Sequence, residues 1–158
     1  MSSHKLTLIF IVSFVFTSIA FSQFDESRYK SARLDTISFF PVERLNDSLK
    51  FIILDTPMSL RPRLVYADSA RTLDSLTHNV LRDWLEEVIQ KPAYIEYFAH
   101  ELLFFQNNKP FWLPVQESLI PEFKKKAQKG GLVDLYVVIA GSTKERVIFS
   151  LNGFDLVK

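Results

Sequence analysis

The chain has no cysteine and only four glycines. Without thiols there can be no disulfide, no thiolate-held metal, no cysteine nucleophile and no lipidated cysteine behind a leader, so cohesion must come from the core. With so little glycine, no phosphate-cradling loop is assembled. Gly130-Gly131 reads as a helix stop, and Gly141-Ser142-Thr143-Lys144 lacks the leading glycine pattern and joins two strands rather than opening a helix. Excess charge is missing too: 19 Lys and Arg face 18 Asp and Glu. Such a balance argues against nucleic acid, whose phosphates call for a basic stripe. Lys124, Lys125, Lys126 and Lys129 do cluster, and on a helix such a run reads as a solvated face.

Catalytic signatures are equally sparse. His100-Glu101 begins the zinc motif H-E-x-x-H, but Phe104 stands where the second histidine is required, so no metal and no cofactor are expected. There is no G-x-S-x-G elbow and no S-x-x-K. A small hydrolase using carboxylates or His100 is the alternative reading, because carboxylates distant in sequence can converge in the fold.

One stretch is strongly apolar. Lys5 precedes the run Leu6 to Phe16, and Thr17, Ser18, Ile19 and Ala20 follow it, giving the three regions of a secretory signal. The run is shorter than the roughly 20 residues of a transmembrane helix and has no cluster of Lys or Arg behind it, so no stable span is expected after cleavage. Ala20 and Ser22 supply the small side chains that place cleavage before Gln23. Removing residues 1–22 also removes Lys5 and brings basic and acidic residues to parity. The protein is expected to be exported, periplasmic or secreted.

The Ala20-Phe21-Ser22-Gln23 ending is similar to signal peptides of Bacteroidota. The triplets Asp35-Thr36-Ile37, Asp47-Ser48-Leu49, Asp68-Ser69-Ala70 and Asp74-Ser75-Leu76 resemble the O-glycosylation acceptor motif of that phylum. That resemblance implies modification of Thr36, Ser48, Ser69 or Ser75. Asp and Ser are also favoured in caps and turns, which explains the same pairs locally.

Residues 23–36 read as a polar N-terminal tail and 37–158 as a single α+β domain. Leu49 to Leu54 has the two-residue period of a strand, Thr56-Pro57 and Arg61-Pro62 punctuate it, and Leu64 to Tyr66 suggests a second short strand. Apolar positions from Ala70 to Ile89 predict a long amphipathic helix over Ser69 to Lys91, capped by Asp68 or Ser69 and ended by Pro92. A hairpin turning at Gln106-Asn107-Asn108-Lys109 comes next, then a short helix capped by Ser118 with Lys-rich C-terminal turns. An apolar strand from Leu132 to Ala140 and a return strand through Val147, Phe149 and Leu151 follow, with a bulge or tight turn at Asn152-Gly153.

Strand, strand, helix, strand, strand resembles the second half of an OB-fold barrel. The alternative is a cystatin-like arrangement, one long helix wrapped by an antiparallel sheet; both pack helices on an antiparallel sheet. Aromatic rings crowd the stretch from Tyr94 to Trp112. Tyr97, His100, Phe105, Trp112 and Gln116 are the candidate ligand-binding residues, because rings with a few polar groups are what pockets use, and the same rings also suit a core. The function expected is a non-enzymatic binding or interaction module of the bacterial envelope, its partner a protein or an envelope glycan.

Overall fold

A computed structural model describes residues 25–37 and 49–157. Residues 1–22, read as a leader, and residues 38–48, with Ser48 among them, lie outside the described residues. The fold is mixed α+β, with a six-stranded sheet and few helices. Its elements are β1 (Lys30–Ala32), β2 (Phe51–Thr72), α1 (Ser75–Glu87), β3 (His100–Gln106), β4 (Lys109–Val115), α2 (Ile120–Lys126), β5 (Leu132–Thr143) and β6 (Val147–Leu156). None of the helices among the described residues is long and apolar enough to cross a membrane.

Within the segment read as a polar tail, β1 pairs in parallel with β2, and Leu34 is buried.

The 22 residues of β2 form one strand where proline suggested interruptions. Pro57 falls in the register shift between Ile53 and Met58, so no ladder donor is required of it. Pro62 stands opposite Ala32 of β1. At roughly 3.3 Å per residue a straight strand of this length would overrun a small domain. The shift near Pro57, and a second between Tyr66 and Ala70 where Asp68 takes a positive φ of 54°, let it bend. It can therefore pair with β5 along Phe51–Val65 and with β3 along Val65–Thr72.

That second stretch removes the first turns of the expected long helix. Ala70, Arg71 and Thr72 are registered against Leu102, Glu101 and His100, so sheet pairing overrides their helical spacing. α1 has 13 residues, about 20 Å, and its cap is Asp74, whose carboxylate accepts from Thr77 N at 2.8 Å and Thr77 Oγ1 at 2.8 Å. Asp74→Ala is expected to cost about 1–2 kcal/mol in urea unfolding. Ser69→Ala, at the cap the spacing alone suggests, should change stability by less than about 0.5 kcal/mol. Equal effects would place the cap wrongly.

Ser118 lies within a 3-10 turn, Glu117–Leu119, and does not cap α2; Leu119 occupies the cap position without a side-chain bond. Pro121 sits in the first helical turn, and α2 ends at Lys126, before the glycines. Phe123 is fully buried and stacks on Phe154 with ring centroids 3.8 Å apart.

The hairpin turns as its sequence predicts: Gln106 pairs with Lys109, and Asn107 and Asn108 both have positive φ, the geometry of a two-residue primed turn. β5 extends to Thr143 and is buried on both faces. Val133, Leu135, Val137 and Ile139 join one core cluster with Leu64, Phe104 and Leu113. Val138 and Ala140 face the other way, onto a second cluster with Val80, Leu81, Trp84 and Leu85 of α1. At roughly 1.5–3 kcal/mol for each large apolar side chain, these α1 residues tie the helix firmly to the sheet. Asn152 is a bulge: Tyr136 pairs with Gly153 and Val137 with Leu151.

Strand pairings run from β2 to β3, β4, β6 and β5, and β5 pairs again with β2. All are antiparallel except β1–β2 and β4–β6. The β4–β6 contact is confined to one position, Val115 with Leu151.

Candidate functional site

That brief contact has a cause in the sequence of β4. The Trp112 carbonyl accepts from Arg146 Nη1 at 3.1 Å and so faces away from β3. In an antiparallel ladder a residue's N–H and C=O face the same side, which puts the Trp112 N–H on the same open edge. Two residues away in each direction, on that edge, stand Pro110 and Pro114, which have no N–H. With two donors missing and one acceptor taken by Arg146, β4 offers β6 little to pair with. The strands diverge from Val115 and Leu151 toward Lys109 and Val147.

A groove of about 410 Å³ opens where they diverge. Phe111, Leu113, Val147 and Phe149 form its apolar floor, with Leu34 and Ile37 from the N-terminal segment. Its lips are polar: Lys109 and Trp112 with Arg71 on the β4 side, Glu145 and Arg146 on the β6 side, and Asp35 at the end held by the hairpin tip. Apolar floors with a few placed polar groups are the usual composition of ligand sites.

Behind one lip lies a charge cluster. Glu101, on β3, is completely buried. Arg71 Nε donates to its Oε2 at 2.7 Å, and Arg146 Nη2 stands 2.6 Å from Oε1 in an ion-pair contact whose angles are not those of a hydrogen bond. Arg146 also donates to Asp74 Oδ2 at 2.9 Å and Thr77 Oγ1 at 2.6 Å. The Arg71 guanidinium lies 4.2 Å above the Trp112 ring. This cluster joins β2, β3, β4, the β5–β6 loop and the start of α1. Burial alone would raise the Asp74 carboxyl, but hydrogen bonds from Thr77 and the Arg146 charge outweigh it and hold Asp74 below the usual range.

The N-terminal wall is fixed by Asp35. Its carboxylate accepts from Arg33 Nη2 at 2.8 Å and Asn107 Nδ2 at 2.7 Å, and its amide donates to Gln106 Oε1 at 3.2 Å. The Arg33 hydrogen bond, then that from Asn107, lower the Asp35 pKa from 3.8 to about 2. A depressed carboxyl stabilises the folded form above its unfolded pKa, and that contribution is lost as pH falls through the folded one. Acidification from about pH 4 to about pH 2 should therefore loosen this wall. The Trp112 environment, followed by fluorescence with Trp84→Phe as background, should shift in that window. Asp35→Asn should diminish the transition, leaving the part that reaches Trp112 from Asp74 through Arg146, and a transition unchanged in that variant would exclude Asp35 as a source.

Of the residues read from the sequence, Trp112 lines the groove. Tyr97 is exposed on the 3-10 turn Pro92–Tyr97, its ring 5.7 Å from that of Tyr94. His100 opens β3 and places Nδ1 2.8 Å from Glu117 Oε1. Phe105 pairs with Pro110 at the hairpin end, and Gln116, half-buried after β4, accepts from the Leu119 amide at 2.9 Å. These four do not line the groove. Among the acceptor-like residues, Thr36 donates its hydroxyl to the Arg33 carbonyl, Ser69 lies in β2, and Ser75 is exposed at the first position of α1 behind its cap.

Arg71, Arg146 and Glu145 were missed because nothing near them in sequence marks a site. Glu101 did carry a signal: a lone carboxylate in the apolar run Leu102 to Phe105 and its flank requires partners when buried. Among the described residues no group of three or more His, Asp or Glu is placed to hold a metal ion. No known protein family, no curated protein and no solved structure matches the chain.

Proposed function

We propose that the protein is an exported, non-catalytic binding module of the bacterial envelope, and that it captures a protein or glycan ligand in the groove between β4 and β6. The observation that carries this reading is the groove itself, with its apolar floor and charged lips. Export rests on the leader-like residues 1–22.

An OB-like fold supports the choice of surface. The pairing order, the parallel β4–β6 contact and a short helix between β4 and β5 resemble that architecture. OB-like barrels bind on the face of their second and third strands and the flanking loops, the counterparts of β3, β4 and the β5–β6 loop here. The cystatin-like alternative has less support, because α1 is short and the pairings return from β5 to β2. Against the hydrolase alternative, His100 and Glu101 are consecutive on a strand and so face opposite ways, and Glu101 is already matched by two arginines.

The test is capture from an envelope extract with wild-type protein, Trp112→Ala, Tyr97→Ala and His100→Ala side by side. Retention of a specific ligand should fall about tenfold in Trp112→Ala and hold in the other two. Loss in Tyr97→Ala or His100→Ala alone would move recognition to the other end of the hairpin. N-terminal sequencing of the captured bait should begin at Gln23.

A further inference from the structure

Beyond the groove, we propose that the opposite end of the fold, where α2 and the turn after it meet the ends of β5 and β6, docks on an anionic phospholipid surface. The lysines at this end are mostly left without partners. Lys124, Lys125 and Lys129 are exposed, and among the described residues none of their side chains makes an ion pair or a hydrogen bond. Lys126 differs, because Glu122 one turn earlier holds it at 2.8 Å. Glu117, the other glutamate of this stretch, accepts from the Ala99 amide and stands 2.8 Å from His100 Nδ1. Asp68 lines a cavity with Lys124, but its carboxylate accepts from the Tyr66 hydroxyl at 3.1 Å. From Glu117 to Lys129 four lysines therefore stand against two glutamates, and only Lys126 is held by one of them.

Apolar surface lies at the same end. Leu132 opens β5 directly after Gly131 and is 48% exposed; Leu156, registered against Val133, closes β6 and is 47% exposed. The Gly130 amide donates to the Tyr66 carbonyl, the Tyr66 amide to the Gly131 carbonyl, and the Val157 amide to the Leu132 carbonyl, which ties the lysine-bearing turn to both strand ends. The stack of Phe123 on Phe154 does the same for α2. An exposed leucine or an unpaired lysine is ordinary by itself. Together they have the composition of an interfacial site, in which apolar groups enter the headgroup boundary and cations meet lipid phosphates. A soluble polyanion would satisfy the lysines and leave the leucines in water.

The placement also sets an orientation. Val147 and Phe149, at the start of β6, line the groove, and Leu156 lies at the other end of that strand, up to about 30 Å away. A molecule resting on its α2 end thus holds the groove away from the lipid and open to ligand. Attachment of this kind is peripheral and reversible, and it weakens as salt screens the lysines.

The experiment is co-sedimentation of the chain beginning at Gln23 with vesicles of phosphatidylcholine alone and with vesicles of phosphatidylcholine and phosphatidylglycerol in equal parts. Binding should require the anionic lipid and fall as salt is raised. Each of Lys124→Gln, Lys125→Gln and Lys129→Gln should weaken it about fivefold, and the triple variant about a hundredfold. The double variant L132S/L156S should weaken it about tenfold at unchanged charge. Lys144→Gln, in the β5–β6 loop beside the groove, and Trp112→Ala should both bind vesicles as wild type does, so this proposal and the groove reading can fail separately. Equal binding to the two kinds of vesicle, or undiminished binding by either multiple variant, would overturn the proposal. So would retention on immobilised polyglutamate with no binding to vesicles, which would assign the lysines to a soluble acidic partner.

Discussion

Replacing Glu101 with alanine is expected to lower the free energy of unfolding by about 3–5 kcal/mol, the usual cost of removing one partner from a buried ion pair. The cost arises less from the lost attraction than from what stays behind. Arg146 keeps Asp74 and Thr77, but its guanidinium is largely shielded from water and one side of it would face an empty carboxylate site. Arg71 is about half exposed and can turn to solvent, leaving the Trp112 ring, so the lower end of the range is the better expectation. Against a total stability of about 5–15 kcal/mol for an ordinary domain, even 3 kcal/mol is a large fraction. The urea midpoint should fall by more than about 1 M. Glu101→Gln should fall between wild type and alanine, since the amide oxygen still accepts from Arg71. A double-mutant cycle with Arg146→Ala should return a coupling of at least about 1 kcal/mol. An alanine variant within about 0.5 kcal/mol of wild type would mean that both arginines are solvated as comfortably without their partner.

Gly141→Ala should be comparably damaging, for a steric reason. At this position of β5 the strand passes so close to β2 that an added Cβ would collide with the Ile52 carbonyl oxygen, and it would also lie 3.0 Å from Val80 Cγ1 on α1. Backbone on one side and a packed helix on the other leave nothing flexible to yield. The variant must separate β2 from β5 or push α1 outward, and about 3 kcal/mol or more is expected, at or above the top of the usual overpacking range. Gly130→Ala is the informative contrast. Its φ is +82° but an added Cβ meets nothing within 4 Å, so only local backbone strain of about 1–2 kcal/mol is at stake. If Gly130→Ala proves the worse of the two in thermal unfolding, the close approach at Gly141 is relieved more easily than this geometry allows.

Local chemistry made several elements readable from sequence. Asn107-Asn108 specify a tight turn because asparagine tolerates positive φ, and the alternating apolar positions of β5 and β6 announce strands whose parity changes at Asn152. Long-range pairing hid the rest. Ala70 to Thr72 fit a helical stripe as well as a strand, and only Glu101 and its neighbours on β3, far along the chain, decide between them. Asp68-Ser69 and Asp74-Ser75 have the same capping chemistry, so spacing could not choose the true cap. The groove was legible in one residue, Trp112, because aromatics draw attention by type. Arg71 and Arg146 owe their place to register, which no local pattern expresses.

Pro110 and Pro114 have one more consequence, which concerns what the protein avoids. A sheet border with a full row of hydrogen-bonding groups is a template on which neighbouring copies or half-folded chains can zip together into fibres. Two prolines and a capping guanidinium blunt this border, so the same chemistry that leaves the cleft open also leaves a neighbouring copy little to pair with. Substituting both prolines with threonine would complete the row, and turbidity on storage would then report how much of the protein's colloidal security resides in two missing protons.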